Sequence, residues 1–118
     1  MARSPLATGI LSDKFNINSK YSKQDYRYNW LRGKRKKVIL DQVESLKKIL
    51  GKDILNSSYS YLVHHNNIDK IIFGFKDIVQ LQNIFKITKL KKLSEKKIDL
   101  LLELYKNNFF LKDKKLLY

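Results

Sequence analysis

The sequence lacks several residue types that most directly indicate chemistry or special backbone geometry. It has no cysteine, one proline and four glycines among 118 residues. Without cysteine, disulfides, thiolate catalysis and any zinc site built on sulfur are excluded. No apolar run approaches the roughly 18 residues of a membrane span, and residues 1–5 contain no apolar signal-peptide segment. We therefore expect a cytoplasmic protein with no membrane partner.

Acidic residues are also few, because 11 Asp and Glu stand against 25 Lys and Arg, a net charge of +14. The densest cationic run is residues 32–37, and most other lysines lie between Leu and Ile in the helical pattern of a solvated face. Net charge bears on solubility and non-specific association rather than on fold. Nucleic acid is therefore not the expected partner. A basic helical nucleic-acid-binding module acting through residues 32–37 and nearby aromatics is an alternative hypothesis.

What the sequence does contain is enough apolar material for a core. Hydrophobic residues make up 43% of the chain, which is typical of one modest globular domain rather than a disordered segment. The two histidines, His64 and His65, are adjacent and point in different directions on a helix or strand. No metal site is predicted.

The first half of the chain predicts one long helix after an irregular segment. Residues 1–11 predict a short extended start and a turn, and residues 12–32 predict a surface loop with one short helical turn. Residues 34–50 predict an amphipathic helix, with Gly51 as its C-cap. The apolar stripe of this helix is Ile39, Val43, Leu46 and Leu50.

The middle of the chain predicts a short helix followed by a strand. Asn56 or Ser57 is the expected N-cap of a helix that runs to about His64. Residues 71–73 are a continuous apolar run between polar residues and Gly74, which predicts a strand buried on both faces. The buried side of the helix is predicted to be Tyr59, Leu62 and Val63.

Two further helices are predicted from their capping residues. Asp77 caps the first, with Gln80 at its N3 position, and Ser94 caps the second, with Leu93 packing on Ile98. The predicted buried positions are Ile78, Leu81, Ile84 or Phe85, and Thr88 in the first helix, and Ile98, Leu101, Leu102 and Tyr105 in the second.

Four segments together resemble the aldo/keto reductases. Residues 3–15, Arg-Ser-Pro-Leu-Ala-Thr-Gly-Ile-Leu-Ser-Asp-Lys-Phe, resemble the seventh strand of that family's (β/α)8 barrel and the loop after it. Residues 25–35 resemble its D-x-R-x-x-W loop, and residues 71–81 its eighth strand and phosphate loop. Leu-Ser-Glu at 93–95 is similar to the start of its C-terminal helix. The four segments stand in the family's order and spacing.

The resemblance implies an α/β fold, an incomplete (β/α)8 TIM barrel fragment that is mostly helical with two short parallel strands. A complete barrel takes about 250 residues. Residues 1–110 would form the C-terminal part of the reductase domain, and residues 111–118 a tail.

The resemblance also implies NADP(H) as the cofactor. Gly74 allows close backbone approach, a helix N-terminus attracts anions, and Lys76 supplies a point charge for a phosphate on the adenosine ribose. The residues implied along the pyrophosphate are Ser4, Pro5, Leu6, Ala7 and Thr8, with Lys14 closing over it. Those implied at the adenosine end are Gly74, Lys76, Gln80 and Asn83.

Four positions depart from the family pattern at this end. Phe73 replaces the usual proline, and Phe75 stands where a small residue is usual. Ile84 occupies the place of an adenine-contacting asparagine, with Asn83 in place of an acidic residue.

The family's catalytic Asp, Tyr, Lys and His come from the first half of the barrel, and no residue here stands in their motifs. The implied function is the cofactor-binding part of an oxidoreductase that transfers hydride between NADPH and an aldehyde or ketone. Alone, the chain is expected to be inactive. Its expected partner is the N-terminal half of the barrel or a second copy of itself. A third hypothesis is a non-catalytic nucleotide-binding subunit.

Overall fold

Helices dominate residues 1–112, the part of the chain that the computed structural model describes. Of the predicted tail at residues 111–118, residues 113–118 lie outside this part. In chain order the strands and helices are β1 (Ala2–Arg3), α1 (Arg27–Trp30), α2 (Gly33–Leu50), α3 (Ile54–Val63), β2 (Ile71–Ile72), α4 (Ile78–Phe85) and α5 (Glu95–Lys106), with 3-10 turns at Ala7–Gly9, Ile87–Lys89 and Asn108–Phe110.

The two strands pair in parallel, as predicted. Ala2 lies opposite Ile71 and Arg3 opposite Ile72, and the Ala2 N–H donates to the carbonyl of Lys70 at 2.8 Å. Because parallel strands run in the same direction, the segments that follow β1 and β2 leave the sheet at one edge.

The prediction that the second strand is buried on both faces is wrong. The strand is only Ile71–Ile72, and Ile72 is 51% exposed. Successive side chains of a strand point to opposite faces. Ile71 lines a groove with Val63 of α3 and Ile87, so helices cover its face, whereas the Ile72 face is open to solvent.

The long helix α2 closely follows its prediction, beginning at Gly33, one residue early. Its C-cap is Gly51, whose φ of +85° suits glycine and whose N–H donates to the carbonyl of Lys47. Among the residues of the predicted stripe, Ile39, Val43 and Leu50 are buried and Leu46 is half-buried. No helix within residues 1–112 is long and apolar enough to cross a membrane.

The main core lies between α2, α3 and the irregular N-terminal segment. Residues 12–32 are therefore more than the predicted surface loop, since Phe15 is 5% and Leu31 is 3% exposed. They contribute Phe15 and Leu31 to the cluster that covers the apolar stripe of α2. The buried residues of this core are Ile10, Phe15, Leu31, Ile39, Val43, Leu50 and Ile54.

A lysine from the cationic run anchors the same loop. The Lys36 ammonium donates to the carbonyls of Ile17 and Ser19, both at 2.6 Å. The run at residues 32–37 is therefore not a purely solvated face. The predicted single helical turn within residues 12–32 is α1.

Helix α3 begins earlier than predicted. Its N-cap is Asp53, whose Oδ1 accepts from the Asn56 N–H at 3.2 Å, so neither Asn56 nor Ser57 is the cap. The helix ends at Val63, close to the predicted His64.

The buried side of α3 also differs from prediction. Ile54, Ser58 and Ser60 are buried, whereas the predicted Tyr59, Leu62 and Val63 are half-buried. The serines tolerate burial because their hydroxyls are satisfied: Ser58 donates to the Ile54 carbonyl, and Ser60 to the carbonyl of Lys91 at 2.6 Å.

Helix α4 has the predicted Asp77 cap, because its Oδ1 accepts from the Gln80 N–H at 2.8 Å. The burial of its stripe is wrong at several positions. Ile78 is 64% and Phe85 71% exposed, and Thr88 is exposed, whereas Leu81 and Ile84 are half-buried. Among residues 1–112, α4 finds too few neighbours to cover its apolar side.

Helix α5 has the predicted Ser94 cap, whose Oγ accepts from the Lys97 N–H at 3.4 Å. Its buried residue is Leu104, while the predicted Leu102 and Tyr105 are exposed. Leu104 follows the half-buried Leu101 by three positions and shares its face, and this is the side that meets α2.

The α2–α3 junction predicts a clear stability difference. Ile54 is the most completely buried large side chain of the described chain, so we expect Ile54→Ala to lower the free energy of unfolding by about 3 kcal/mol through lost transfer energy and a cavity. Ile17→Ala, at an exposed position, should change it by less than about 0.5 kcal/mol. Urea titrations followed by circular dichroism measure both, and equal losses would contradict this view of the core.

Candidate functional site

Two loops leave the sheet at its carboxyl edge. The first loop (residues 4–9) follows β1, and the second loop (residues 73–77) follows β2. The parallel register places the ends of both strands side by side. Most of the predicted site residues belong to these loops, so the structure brings the two groups to one edge.

The first loop has a rare backbone conformation. Ser4, Ala7 and Thr8 have φ of +53°, +45° and +62°, and Gly9 has φ of +93°. Each left-handed residue other than glycine costs about 1 kcal/mol or more and persists only where surrounding contacts enforce it. Local contacts supply part of this, because the Ala7 N–H donates to the Ser4 carbonyl at 2.8 Å and the Gly9 N–H to the Leu6 carbonyl at 2.9 Å.

The side chains of the first loop divide between solvent and protein. Ser4, Ala7 and Thr8 are exposed, while Pro5 and Leu6 are half-buried. The loop therefore presents mainly backbone and small side chains outward. Lys14, predicted to close over the same ligand, is exposed beyond the loop.

An ion pair from the following segment holds the first loop. Arg27 binds Asp25 with two nitrogens, Nε to Oδ1 at 2.9 Å and Nη2 to Oδ2 at 2.6 Å. Its third nitrogen, Nη1, donates to the Thr8 carbonyl at 3.3 Å, and its guanidinium lies 4.3 Å from the centre of the Tyr21 ring. We call this arrangement of Tyr21, Asp25, Arg27 and Thr8 the Arg27 clasp.

Asp25 and Arg27 belong to the D-x-R-x-x-W motif, but the sequence alone predicted no role for them at the site. The signal was available in the Asp-x-Arg spacing, which lets the aspartate accept from the arginine N–H and side chain together. The contact with Thr8, 19 residues away, has no sequence signal.

The clasp also changes the acid–base behaviour of its carboxylate. Hydrogen bonds from Arg27 lower the pKa of Asp25 to about 2, and the positive charge of Lys76 contributes in the same direction. The hydrogen bond to Asp25 raises the pKa of Arg27 in turn.

Some polar groups of the second loop form hydrogen bonds at the N-terminus of α4. The Lys76 N–H donates to Gln80 Oε1 at 3.1 Å, while the Gln80 N–H donates to Asp77. The Asp77 carboxylate also places negative charge at the positive end of α4. Of the groups predicted to hold an anion here, the exposed Lys76 ammonium is the best placed.

The remaining predicted residues lie in open surroundings. A Cβ added to Gly74 would meet no atom within 4 Å, and Gly74 has no positive φ. Asn83 is exposed on α4, with its Oδ1 3.5 Å from the Lys86 ammonium.

Phe73, which replaces the family's proline, packs against α3. Its ring centre lies 5.5 Å from that of Tyr59, and burial raises the pKa of Tyr59. The aromatic pair thus attaches the end of β2 to the helical layer.

Most residues of the two loops are exposed, at positions 4, 7, 8 and 74–77. Grooves of about 270 Å³ and 330 Å³ are present in the described chain, and neither is lined by residues 4–9 or by Lys76. Groups of three or more His, Asp or Glu that could hold a metal are absent from residues 1–112. The smaller groove is lined by Val63, Ile68, Asp69, Ile71, Phe73, Ile84, Ile87 and Thr88.

The comparison with known families supports the family resemblance of the sequence motifs. A model described as "Aldo/keto reductase family" matches residues 1–106. The chain belongs to the aldo/keto reductase family. No curated protein and no solved structure matches it. Membership implies the TIM-barrel fold class and oxidoreductase function, and the reductases of this family generally use NAD(P)H.

The Arg27 clasp predicts a measurable shift in acid titration. Since the pKa of Asp25 is depressed in the folded chain, the stabilisation by the clasp is present above the ordinary value of 3.8 and is lost as pH falls through about 2. In Arg27→Gln we expect the Asp25 pKa to return toward 3.8. Carboxyl NMR titration measures it, with Arg35→Gln as the charge-matched control. An Asp25 pKa unchanged by Arg27→Gln would contradict the assigned cause.

Proposed function

We propose that this aldo/keto reductase chain is the C-terminal, NADP(H)-binding part of a cytoplasmic oxidoreductase. The complete enzyme transfers a hydride between NADPH and the carbonyl carbon of an aldehyde or ketone. Residues 1–110 supply part of the cofactor cradle, and the catalytic Asp, Tyr, Lys and His come from outside this sequence. By itself the chain is inactive.

The observation that carries the proposal is the arrangement of the two loops at one sheet edge. In (β/α)8 barrels the active face lies at the carboxyl ends of the strands, where the βα loops are. The loops after β1 and β2 both leave that edge, and Arg27 of the clasp donates to the Thr8 carbonyl of the first loop.

The residues present fit a dinucleotide unevenly along its length. The exposed backbone of residues 4–8 and the side chain of Lys14 suit the pyrophosphate. Lys76 suits the phosphate on the adenosine ribose, since an exposed ammonium is a strong phosphate partner. Gly74 leaves open space for approach, and Gln80 and Asn83 lie on α4 toward the adenosine end. The Asp77 carboxylate opposes an anion at the same helix end.

The open surfaces support a requirement for further barrel units. Ile72 is uncovered on the sheet, and Ile78, Val79 and Phe85 form exposed apolar surface on α4. Unpaired strand edges and exposed apolar patches are typical of interaction surfaces. We propose the remaining barrel units as the partner, with self-association as the competing outcome.

NADPH binding tests the cofactor proposal directly. We expect saturable quenching or enhancement of NADPH fluorescence by the purified chain. Lys76→Ala should weaken NADPH about tenfold, the effect of losing one charge-assisted hydrogen bond, and should leave NADH binding unchanged. Ser4→Ala should weaken both cofactors, since it alters the loop at the pyrophosphate.

The matched control is Lys89→Ala, which removes an equal charge from the 3-10 turn Ile87–Lys89. If Lys89→Ala weakened NADPH as much as Lys76→Ala, the effect would come from overall charge and the site assignment would be wrong. Absence of saturable binding by the unaltered chain would count against the cradle itself.

The non-catalytic subunit hypothesis also predicts NADPH binding. A measurement of carbonyl reduction distinguishes it from the reductase hypothesis. A nucleotide-binding subunit would bind NADPH without supporting carbonyl reduction after addition of the missing barrel units, whereas a reductase part would restore it.

A further inference from the structure

We propose that Arg27 and Asp25 are a positioning pair, which sets the conformation of the first loop through the Thr8 carbonyl and so aligns the backbone that meets the cofactor's pyrophosphate. The inference rests on the proposed function for its ligand. It gives a role at the site to two residues for which the sequence alone predicted none.

The first loop needs a constraint from outside itself. Ser4, Ala7 and Thr8 all have left-handed backbone angles, which non-glycine residues rarely adopt. The turn hydrogen bonds within the loop involve the carbonyls of Ser4, Leu6 and Ala7. The carbonyl of Thr8 instead accepts from Arg27, so this bond ties the loop to a separate segment.

Arg27 is itself held on several sides. Asp25 accepts from its Nε and Nη2, and Tyr21 lies under the guanidinium. A planar group held by a bidentate carboxylate and an aromatic ring has little rotational freedom. Arg27 can therefore transmit a defined position to Thr8, which a flexible lysine could not.

The Arg27 guanidinium also lies close to Gly9 of the first loop. A Cβ placed on Gly9 would lie 3.3 Å from Arg27 Nη1, and Gly9 has φ of +93°. Glycine at this position thus leaves room for the guanidinium beside the loop and also permits the required backbone angle. The loop and the clasp fit one another at both Thr8 and Gly9.

Positioning of the first loop by the clasp can be distinguished from direct attraction between the Arg27 charge and the cofactor. The Asp25 carboxylate offsets the charge of Arg27, and all three guanidinium nitrogens have partners within the clasp. The pair therefore offers little free positive charge to a phosphate. Its removal should affect NADPH and NADH alike, whereas removal of Lys76 should affect NADPH selectively.

The test compares Arg27→Lys and Asp25→Asn with the unaltered chain by two measurements. In hydrogen exchange without cofactor, we expect the amides of Gly9, Ile10 and Leu11 to exchange at least about tenfold faster in both variants, because the loop loses its external constraint. In fluorescence titration, we expect both cofactors to weaken by a similar factor, about tenfold, with the ratio of their affinities unchanged.

One control variant and the conserved charge of one test variant keep the result specific. Ile54→Val lowers global stability without touching the clasp, so it should not raise exchange selectively in residues 9–11. Arg27→Lys retains the charge, so a variant that behaves like the unaltered chain in exchange would overturn the positioning role.

The exchange measurement also separates the two proposals. Faster loop exchange in Arg27→Lys, with no NADPH binding by the unaltered chain, would support the clasp as the determinant of loop conformation and overturn the proposed function. NADPH binding that survives both substitutions at full strength, with unchanged exchange, would overturn the positioning pair and leave the proposed function standing.

Discussion

The candidate site depends on a very short parallel pairing between segments far apart in the chain. Two residues of β1 meet two residues of β2, and this parallel pairing brings the first and second loops to the same edge. So few ladder hydrogen bonds do not make a stable sheet by themselves. The pairing therefore depends on the contacts around it, including the Phe73–Tyr59 ring contact that attaches β2 to α3.

Those contacts in turn depend on a core that lies beside the sheet rather than on it. The irregular N-terminal segment buries Ile10, Phe15 and Leu31 against α2 and α3. The same segment carries the Arg27 clasp, so the stretch of chain that completes the core also contacts the loop after β1. Core packing and site geometry are linked through one stretch of chain that has little regular structure.

The sequence predicted the helices well where the deciding interaction is local. Gly51, Asp77 and Ser94 act within four residues of themselves, so their roles can be read from neighbouring positions. The Asp53 cap was missed because several capping residues compete in that stretch. Burial was predicted less well, since the exposure of Ile72 or Phe85 depends on which elements lie opposite, and periodicity alone does not say whether a neighbour is there.

The site shows the same division between local and distant information. The family resemblance implied that both loops hold one cofactor, and the parallel register brings the two loops to the same edge. The motifs did not predict that the Gln80 side-chain oxygen would accept a hydrogen bond from the Lys76 N–H. Nor did they predict that Arg27 would donate to the Thr8 carbonyl. Both depend on backbone directions that only the folded chain defines.

The buried residues are concentrated in the first half of the chain, and this has a consequence for how a ligand would be held. From residue 64 to residue 112, Ile87 and Leu104 are the buried hydrophobic residues, whereas the first loop runs directly into Ile10 of the main core. The two loops therefore differ in how much buried structure lies behind them. A ligand held by both loops, as proposed above, would have to order the second loop, and the entropy lost in that ordering would lower the affinity. Any neighbouring element that stiffened α4 would tighten binding without touching the ligand.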